Sequence, residues 1–202
     1  EEGGELEVLQ TINSASTEDY LDSSVSNGTT YTYAVTALYD NGVESDFSNA
    51  VTVMPMASVS FSLSDATVQS GETVTVSLSL SNSEDVAGIQ LDLGDTPDNL
   101  TLVSASGTSR VPDDWSLEAS EQSNGSGRIL GFSLSGTTIA PGDGAIVDLV
   151  FSAQAGEPTE VSLCTTNEIV SDVVANPFDV NSGCSTVDVT VISIMLSLET
   201  DG

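Results

Sequence analysis

The sequence predicts an all-β protein, and three observations predict it. Apolar residues alternate with Ser, Thr, Gln or Asp over most of the chain. Short clusters rich in Gly, Asn, Ser, Asp and Pro cut this alternation into segments, and helical periodicity is thin throughout. Period two with one polar side is the pattern of antiparallel sheets that rest one face on a core. In chain order the runs are Tyr31-x-Tyr33-x-Val35-x-Ala37, Val51–Val53, Val59-x-Phe61-x-Leu63, Val74-x-Val76-x-Leu78-x-Leu80 and Ile89-x-Leu91-x-Leu93. Ile129–Leu134, Ile146–Phe151, Val161–Leu163 and Val187–Val191 follow. Turns are expected at Asn41-Gly42, Gln69-Ser70-Gly71, Ser81-Asn82-Ser83, Asn124-Gly125-Ser126-Gly127 and Pro141-Gly142-Asp143-Gly144. Met54-Pro55-Met56-Ala57 ends one run just before another starts. This places the boundaries at residues 1–55, 56–191 and a tail of 192–202.

Composition removes much chemistry. The 202 residues contain no His and no Lys; Arg110 and Arg128 are the only basic side chains, against 31 Asp and Glu, for a formal net charge of −29. Imidazole acid–base catalysis, lysine Schiff bases and a basic footprint for nucleic acid are excluded. So acidic a chain repels anionic lipid heads and stays soluble by self-repulsion; it is suited to a screening, salty medium or to collecting Ca²⁺. With 39% hydrophobic residues in alternation it is nonetheless a folding sequence. No run approaches the roughly 18 apolar residues of a membrane helix, so no membrane insertion is expected. The opening EEGGELEV has no signal-peptide character, which places any export signal upstream. Cys164 and Cys184 fit one disulfide closing the intervening loop, an expectation that points outside the cytoplasm; the alternative is two reduced, buried thiols.

Residues 17–53, TEDYLDSSVSNGTTYTYAVTALYDNGVESDFSNAVTV, resemble the second half of a fibronectin type III module. The likeness rests on Val25 six residues before Tyr31, Gly28 at the corner, the alternating run from Tyr31, the Asn41-Gly42 hairpin and the Glu44-Ser45 and Ser48-Asn49 pairs before Val51–Val53. It implies that Tyr31 is a tyrosine corner, its hydroxyl tied to backbone upstream. It also implies an apolar side left uncovered, including Val35, Leu38 and Val51.

Residues 57–192 resemble a cohesin domain. The carrying features are Val59-x-Phe61, Gly71-Glu72-Thr73-Val74-Thr75-Val76, Val86-Ala87-Gly88-Ile89-Gln90-Leu91-Asp92-Leu93 leading to Pro97 and Leu100, Gly131-Phe132, and Gly142-Asp143-Gly144-Ala145-Ile146-Val147-x-Leu149-x-Phe151. Gly94-Asp95-Thr96-Pro97 departs from the family, which usually has an aromatic before Asp-Pro. The resemblance implies a jelly-roll β-sandwich with a dockerin-binding face built from outward polar residues. With Ile89, Leu91 and Leu93 toward the core, Gln90 and Asp92 are the candidates.

Three further sets stand out. Asp92, Asp95 and Asp98 recur every third residue through a turn and are candidate Ca²⁺ ligands, or turn-forming acids, since the EF-hand pattern is incomplete. Asp113-Asp114 beside Trp115 offers a sugar platform, or Trp115 is a core residue. Asn27-Gly28-Thr29, Asn99-Leu100-Thr101 and Asn124-Gly125-Ser126 match the glycosylation pattern. Paired carboxylates for glycoside hydrolysis are available in so acidic a chain, yet a small sandwich without a deep cleft is a poor setting for them.

At the C-terminus Val187, Val189 and Val191 alternate at odd positions, whereas Ile192, Ile194, Leu196 and Leu198 alternate at even ones. A phase change of one residue moves the apolar side to the other face. The second run is expected to leave its own domain and pair with the uncovered first module of another copy. The function expected is therefore a non-enzymatic, extracellular or cell-surface structural protein that builds fibres from copies of itself or neighbouring β-modules. The alternative is a cohesin-type scaffold module that binds a dockerin in a polysaccharide-degrading complex.

Overall fold

Sustained alternation produces strands, and in the computed structural model no helix occurs among the described residues, 6–14, 16–17 and 19–192. The chain divides into two compact units, Glu1–Met56 and Ala57–Gly202.

The first unit is a two-stranded antiparallel sheet, β1 (Tyr31–Tyr33) and β2 (Val51–Val53), with Tyr31 opposite Val53 and Tyr33 opposite Val51. The pairing is carried on by serines. Val35 N–H donates to Ser48 Oγ at 3.0 Å and Ala37 N–H to Ser45 Oγ at 2.8 Å, while Ser48 and Ser45 return N–H bonds to the Val35 and Ala37 carbonyls. The turn at Asn41-Gly42 needs a left-handed residue, and Gly42 supplies it at φ +77°. Tyr31 Oη accepts a hydrogen bond from Ser26 N–H, five residues upstream, at 2.9 Å. No described residue of this unit is buried; Val35, Leu38 and Val51 are all exposed.

The second unit is a sandwich of two sheets. One has five strands in the order β12 (Asp179–Asn181), β3 (Ser58–Leu63), β5 (Thr73–Asn82), β10 (Gly142–Ala153), β7 (Leu100–Gly107). The other has six, β4 (Ala66–Gln69), β13 (Cys184–Thr190), β11 (Thr159–Ser171), β6 (Gly88–Thr96), β9 (Gly127–Ser133), β8 (Trp115–Glu121). All pairs are antiparallel except β12 with β3 and β13 with β4. These two parallel pairs mark where the chain passes between sheets. At that passage an added Cβ on Gly183 would lie 2.4 Å from the Phe61 carbonyl, so no side chain fits there. Alternate residues of the central strands fill the space between the sheets: Val76, Leu78 and Leu80 of β5, Leu91 and Leu93 of β6, Leu149 of β10 and Leu163 of β11 are fully buried. Each contributes about 1.5–3 kcal/mol of burial.

The structure extends the sequence reading in several places. β4, β7, β8 and β12 were not anticipated, and β11 runs thirteen residues through what reads as a loop between the cysteines. Leu134 lies beyond β9 and is exposed. Trp115 is 8% exposed, packed in the core with its indole N–H on the Thr137 carbonyl at 3.0 Å, so it presents no platform for a sugar. The Cys164–Cys184 disulfide is present and joins directly opposed residues of β11 and β13, 4.1 Å apart at Cα. Of the tail residues, Ile192 is described and 70% exposed; Ile194, Leu196 and Leu198 lie outside the described residues.

Candidate partner-binding face

The outer side of the six-stranded sheet, across β11, β6, β9 and β8, is laid out by register. Ile89, Leu91 and Leu93 of β6 face inward, so Gln90 and Asp92 face outward. Three rows then cross the face. Ile169, Gln90, Leu130 and Glu118 form the middle row; Thr166, Asp92, Arg128 and Ser120 lie on one side of it; Ser171, Gly88, Phe132 and Ser116 lie on the other.

Asp92 points outward but is only 5% exposed, because two neighbours cover it. Arg128 grips it through Nε to Oδ1 at 2.7 Å and Nη2 to Oδ2 at 2.9 Å, and Asn167 Nδ2 adds a third bond to Oδ2 at 3.1 Å. The Arg128 hydrogen bond holds the Asp92 carboxyl below the usual carboxylate range, and the same bond raises the guanidinium. The two-pronged Arg128 contact joins β9 to β6, and the Asn167 bond adds β11. The face thus shows a partner the half-exposed Arg128, and not the Asp92 expected from the sequence.

A bulge in β11 makes the apolar part of the face. Val161, Leu163 and Thr165 point inward, but Thr166 pairs with Asp92 and Ile169 with Gln90, which leaves Asn167 and Glu168 together opposite Leu91. The extra residue shifts the phase of everything after it. Val170 therefore enters the core, and Ile169 stands outside at 60% exposure. Asn167 takes the left-handed conformation, φ +52°, from which its amide reaches Asp92. Across Gln90 from Ile169, Leu130 is 37% exposed, and Phe132 in the adjoining row is half-buried. On the inner side, an added Cβ at Gly131 would lie 3.0 Å from Ile89 and 3.3 Å from Trp115, so this glycine lets β9 sit down on the core.

Of the sequence candidates, Gln90 and Asp92 lie on this face, whereas Asp95 and Asp98 do not join them. Asp95 is occupied in its own turn, accepting the N–H groups of Asn99 and Leu100 at 2.7 and 2.8 Å, and burial pushes its carboxyl up. Asp98 lies against Gly125 of the β8–β9 hairpin. Among the described residues no three acidic or cysteine side chains gather to hold a metal ion, so the Asp92, Asp95 and Asp98 set has no geometry for Ca²⁺. Ile169, Leu130, Phe132, Arg128 and Asn167 were missed. For Ile169 and Asn167 the one sequence signal is the shift from odd to even apolar positions between Leu163 and Val170.

The remaining cation is internal. Arg110 donates to the carbonyls of Leu80, Gly144 and Ala140 and to Asn82 Oδ1. Both basic residues of the chain are therefore engaged by its own groups.

Comparison with solved structures finds the same sandwich repeatedly. A cohesin of Clostridium acetobutylicum is similar at 20% identity and TM-score 0.56, covering 67% of this chain and 92% of that one. A type I cohesin–dockerin complex of Clostridium thermocellum, containing the OlpC cohesin, is similar at 12% identity and TM-score 0.56, covering 69% and 99%. A non-cellulosomal cohesin of the hyperthermophilic archaeon Archaeoglobus fulgidus is similar at 18% and TM-score 0.54, covering 68% and 93%. At these identities the likeness is one of fold. The comparison with curated proteins returned no match. Residues 59–193 match the Cohesin domain family, about two thirds of the chain, and the chain belongs to that family.

Proposed function

We propose that the second unit is a non-catalytic recognition module that docks a dockerin on the β11–β6–β9–β8 face, as part of an extracellular or cell-surface scaffold. The observation that carries this is the Ile169–Leu130–Phe132 strip on the outer side of a sheet in a chain that belongs to the cohesin family. Exposed apolar side chains aligned across strands give a partner short-range affinity, and the Arg128–Asp92–Asn167 contact keeps the strands beneath them in fixed register. Cohesin–dockerin complexes recur among the similar structures, and this supports the scaffold reading over the fibre-subunit reading. With both arginines engaged, a partner that brings positive charge complements the surrounding acids.

Isothermal titration against a panel of dockerin modules, including those of the complexes above, tests the proposal. Saturable one-to-one binding to at least one dockerin is expected, and its loss in Ile169→Asp/Leu130→Asp with the melting transition unchanged. No binding across the panel, or binding that survives the double substitution, would overturn it.

The first unit fits a fibronectin type III-like fragment through its Tyr31 tie and hairpin. Its uncovered Val35, Leu38 and Val51 favour contact with a further β-module, and self-association through the tail remains one such arrangement. Sedimentation of the full chain against a chain ending at Val191 distinguishes these: a shift that disappears on truncation is expected of tail-mediated association.

A further inference from the structure

Three asparagines carry the acceptor pattern for N-linked glycosylation, and the fold treats them differently. Asn99 is closed. Its Oδ1 is buried, its N–H donates to Asp95 and its carbonyl accepts from Gln154 N–H at 2.8 Å. Leu100 beside it is in the core, and Thr101 is held in the β7–β10 ladder. Asn27 lies in the corner tied by Ser26 N–H to Tyr31 Oη and by Gly28 N–H to the Pro55 carbonyl, so its pattern is pinned to distant residues.

Asn124 is different. It stands exposed at the tip of the hairpin that joins β8 to β9. The loop is closed by Gln122 N–H to Ser126 O at 2.8 Å and Gly125 N–H to Gln122 O at 3.0 Å, with Gly125 at φ +82° and the Asp98 carboxylate beside it. Asn124 Oδ1 accepts from Ser126 Oγ at 2.8 Å and from Ser126 N–H at 3.2 Å. The amide and the hydroxyl two residues on are thus already brought together on one side of the turn. Both bonds end on Oδ1, so neither engages Nδ2, the atom that reacts. The Cys164–Cys184 disulfide adds that this chain folds in an oxidising compartment, the setting of exported proteins in which such modification occurs.

We propose that Asn124 is an N-glycosylation site open to modification in the folded protein, with a lipid-linked oligosaccharide as donor. In the transfer, Nδ2 of Asn124 loses a proton to a base of the transferase and forms a bond to the anomeric carbon of the sugar. The bond between that carbon and the phosphate oxygen breaks, and the lipid phosphate leaves with the electron pair. The glycan would stand at the Glu121–Gly127 end of the six-stranded sheet, away from Phe132.

The test incubates the folded, oxidised full chain with an oligosaccharyltransferase that reads only Asn-x-Ser/Thr, together with its lipid-linked oligosaccharide. Intact mass and peptide mapping read the result. Occupancy at Asn124 is expected, with loss of that occupancy in Asn124→Gln and in Ser126→Ala, and Asn99 unmodified until the chain is reduced and denatured. A folded chain left unmodified at Asn124, whether or not the denatured chain is modified there, overturns the proposal. So does modification at Asn99 in the folded state. The two variants lie on an exposed turn, and Trp115 fluorescence confirms that each is folded before it is assayed.

Discussion

Replacing Arg110 by Met is the sharpest test of how the sandwich is held together. The guanidinium spans β5, the loop before β10 and β10 itself, donating to Leu80 O, Asn82 Oδ1, Ala140 O at 3.3 Å and Gly144 O at 3.2 Å. Asn82 is buried and in turn donates to the carbonyls of Glu84 at 2.7 Å and Ala140 at 3.2 Å, so one cation organises the crossing of several segments. Burial lowers the guanidinium from its ordinary value, yet arginine stays protonated. Methionine fills much of the same volume and removes every donor. The Ala140 and Gly144 carbonyls lie near the surface and can take water. Leu80 is fully buried and Asn82 nearly so, and each acceptor left without a donor costs about 1–3 kcal/mol, hence about 2–6 kcal/mol together. Arg110→Lys keeps the charge but not the planar fork, and should recover only part of the loss. Urea unfolding at fixed ionic strength, followed by fluorescence of the chain's single Trp, reads the sandwich alone because Trp115 lies in its core. A loss under about 1 kcal/mol for Arg110→Met, or full recovery with Lys, would show that the fork geometry does not stabilise the fold.

Removing the disulfide with Cys164→Ala/Cys184→Ala should cost about 3 kcal/mol on the chain-entropy estimate for its separation of 20 residues, and thiol titration of the denatured, unreduced wild type should find no free thiol. The melting temperature should rise with salt, since raising ionic strength from about 0.1 to 1 M shortens the screening length from about 10 to 3 Å among 31 acids with a net charge of −29; a flat response would count against this. Asp114 is lowered to about 2 by the hydroxyls of Ser135, Thr137 and Ser133, and so contributes stability that is present above its unfolded value of 3.8 and is lost as pH falls toward about 2. Melting curves between pH 5 and pH 2 should therefore fall more steeply for the wild type than for Asp114→Asn, the difference cancelling the relief of repulsion that both share.

The all-β class was legible because burial on one side of a sheet writes itself into period two, and in β3, β5 and β6 the buried positions are the apolar ones of the sequence, with Asn82 and Asp92 as the exceptions. The strands that escaped are those whose pairing is not accompanied by such contrast. β7 begins Leu100-Thr101-Leu102 but continues into Ser and Ala, and the inward run of β8 is short, Trp115, Leu117 and Ala119 giving way to Glu121. β11 was cut short by its bulge. The loss of period at Asn167-Glu168 reads as a loop, although Val161, Leu163 and Val170 all reach the core. Only Gln90 and Asp92 of the candidate face were legible, since they follow from the inward Ile89, Leu91 and Leu93. The rest needed register between strands far apart in sequence: nothing local says that Arg128 meets Asp92, or that Ile169 and Leu130 flank Gln90.

The distribution of charge constrains how such a face can work. A chain of net charge −29 with only two cations would ordinarily be expected to display those cations to partners. Here Arg110, part-buried, is bonded to backbone carbonyls and Asn82, and Arg128, although half-exposed, is paired with the most buried outward carboxylate of the face. Long-range attraction therefore acts only on partners of opposite sign, and its strength falls with salt. Short-range affinity has to come from contacts that salt does not screen. On the proposed reading the bulge provides these, turning Ile169 outward across Gln90 from Leu130 while sending Val170 into the core. If the proposed docking holds, the acids act mainly on encounter and solubility and the apolar side chains on residence. Substitutions that alter peripheral acids, such as Glu118, should accordingly change association rates and their salt dependence, and those at Ile169 or Leu130 should change dissociation.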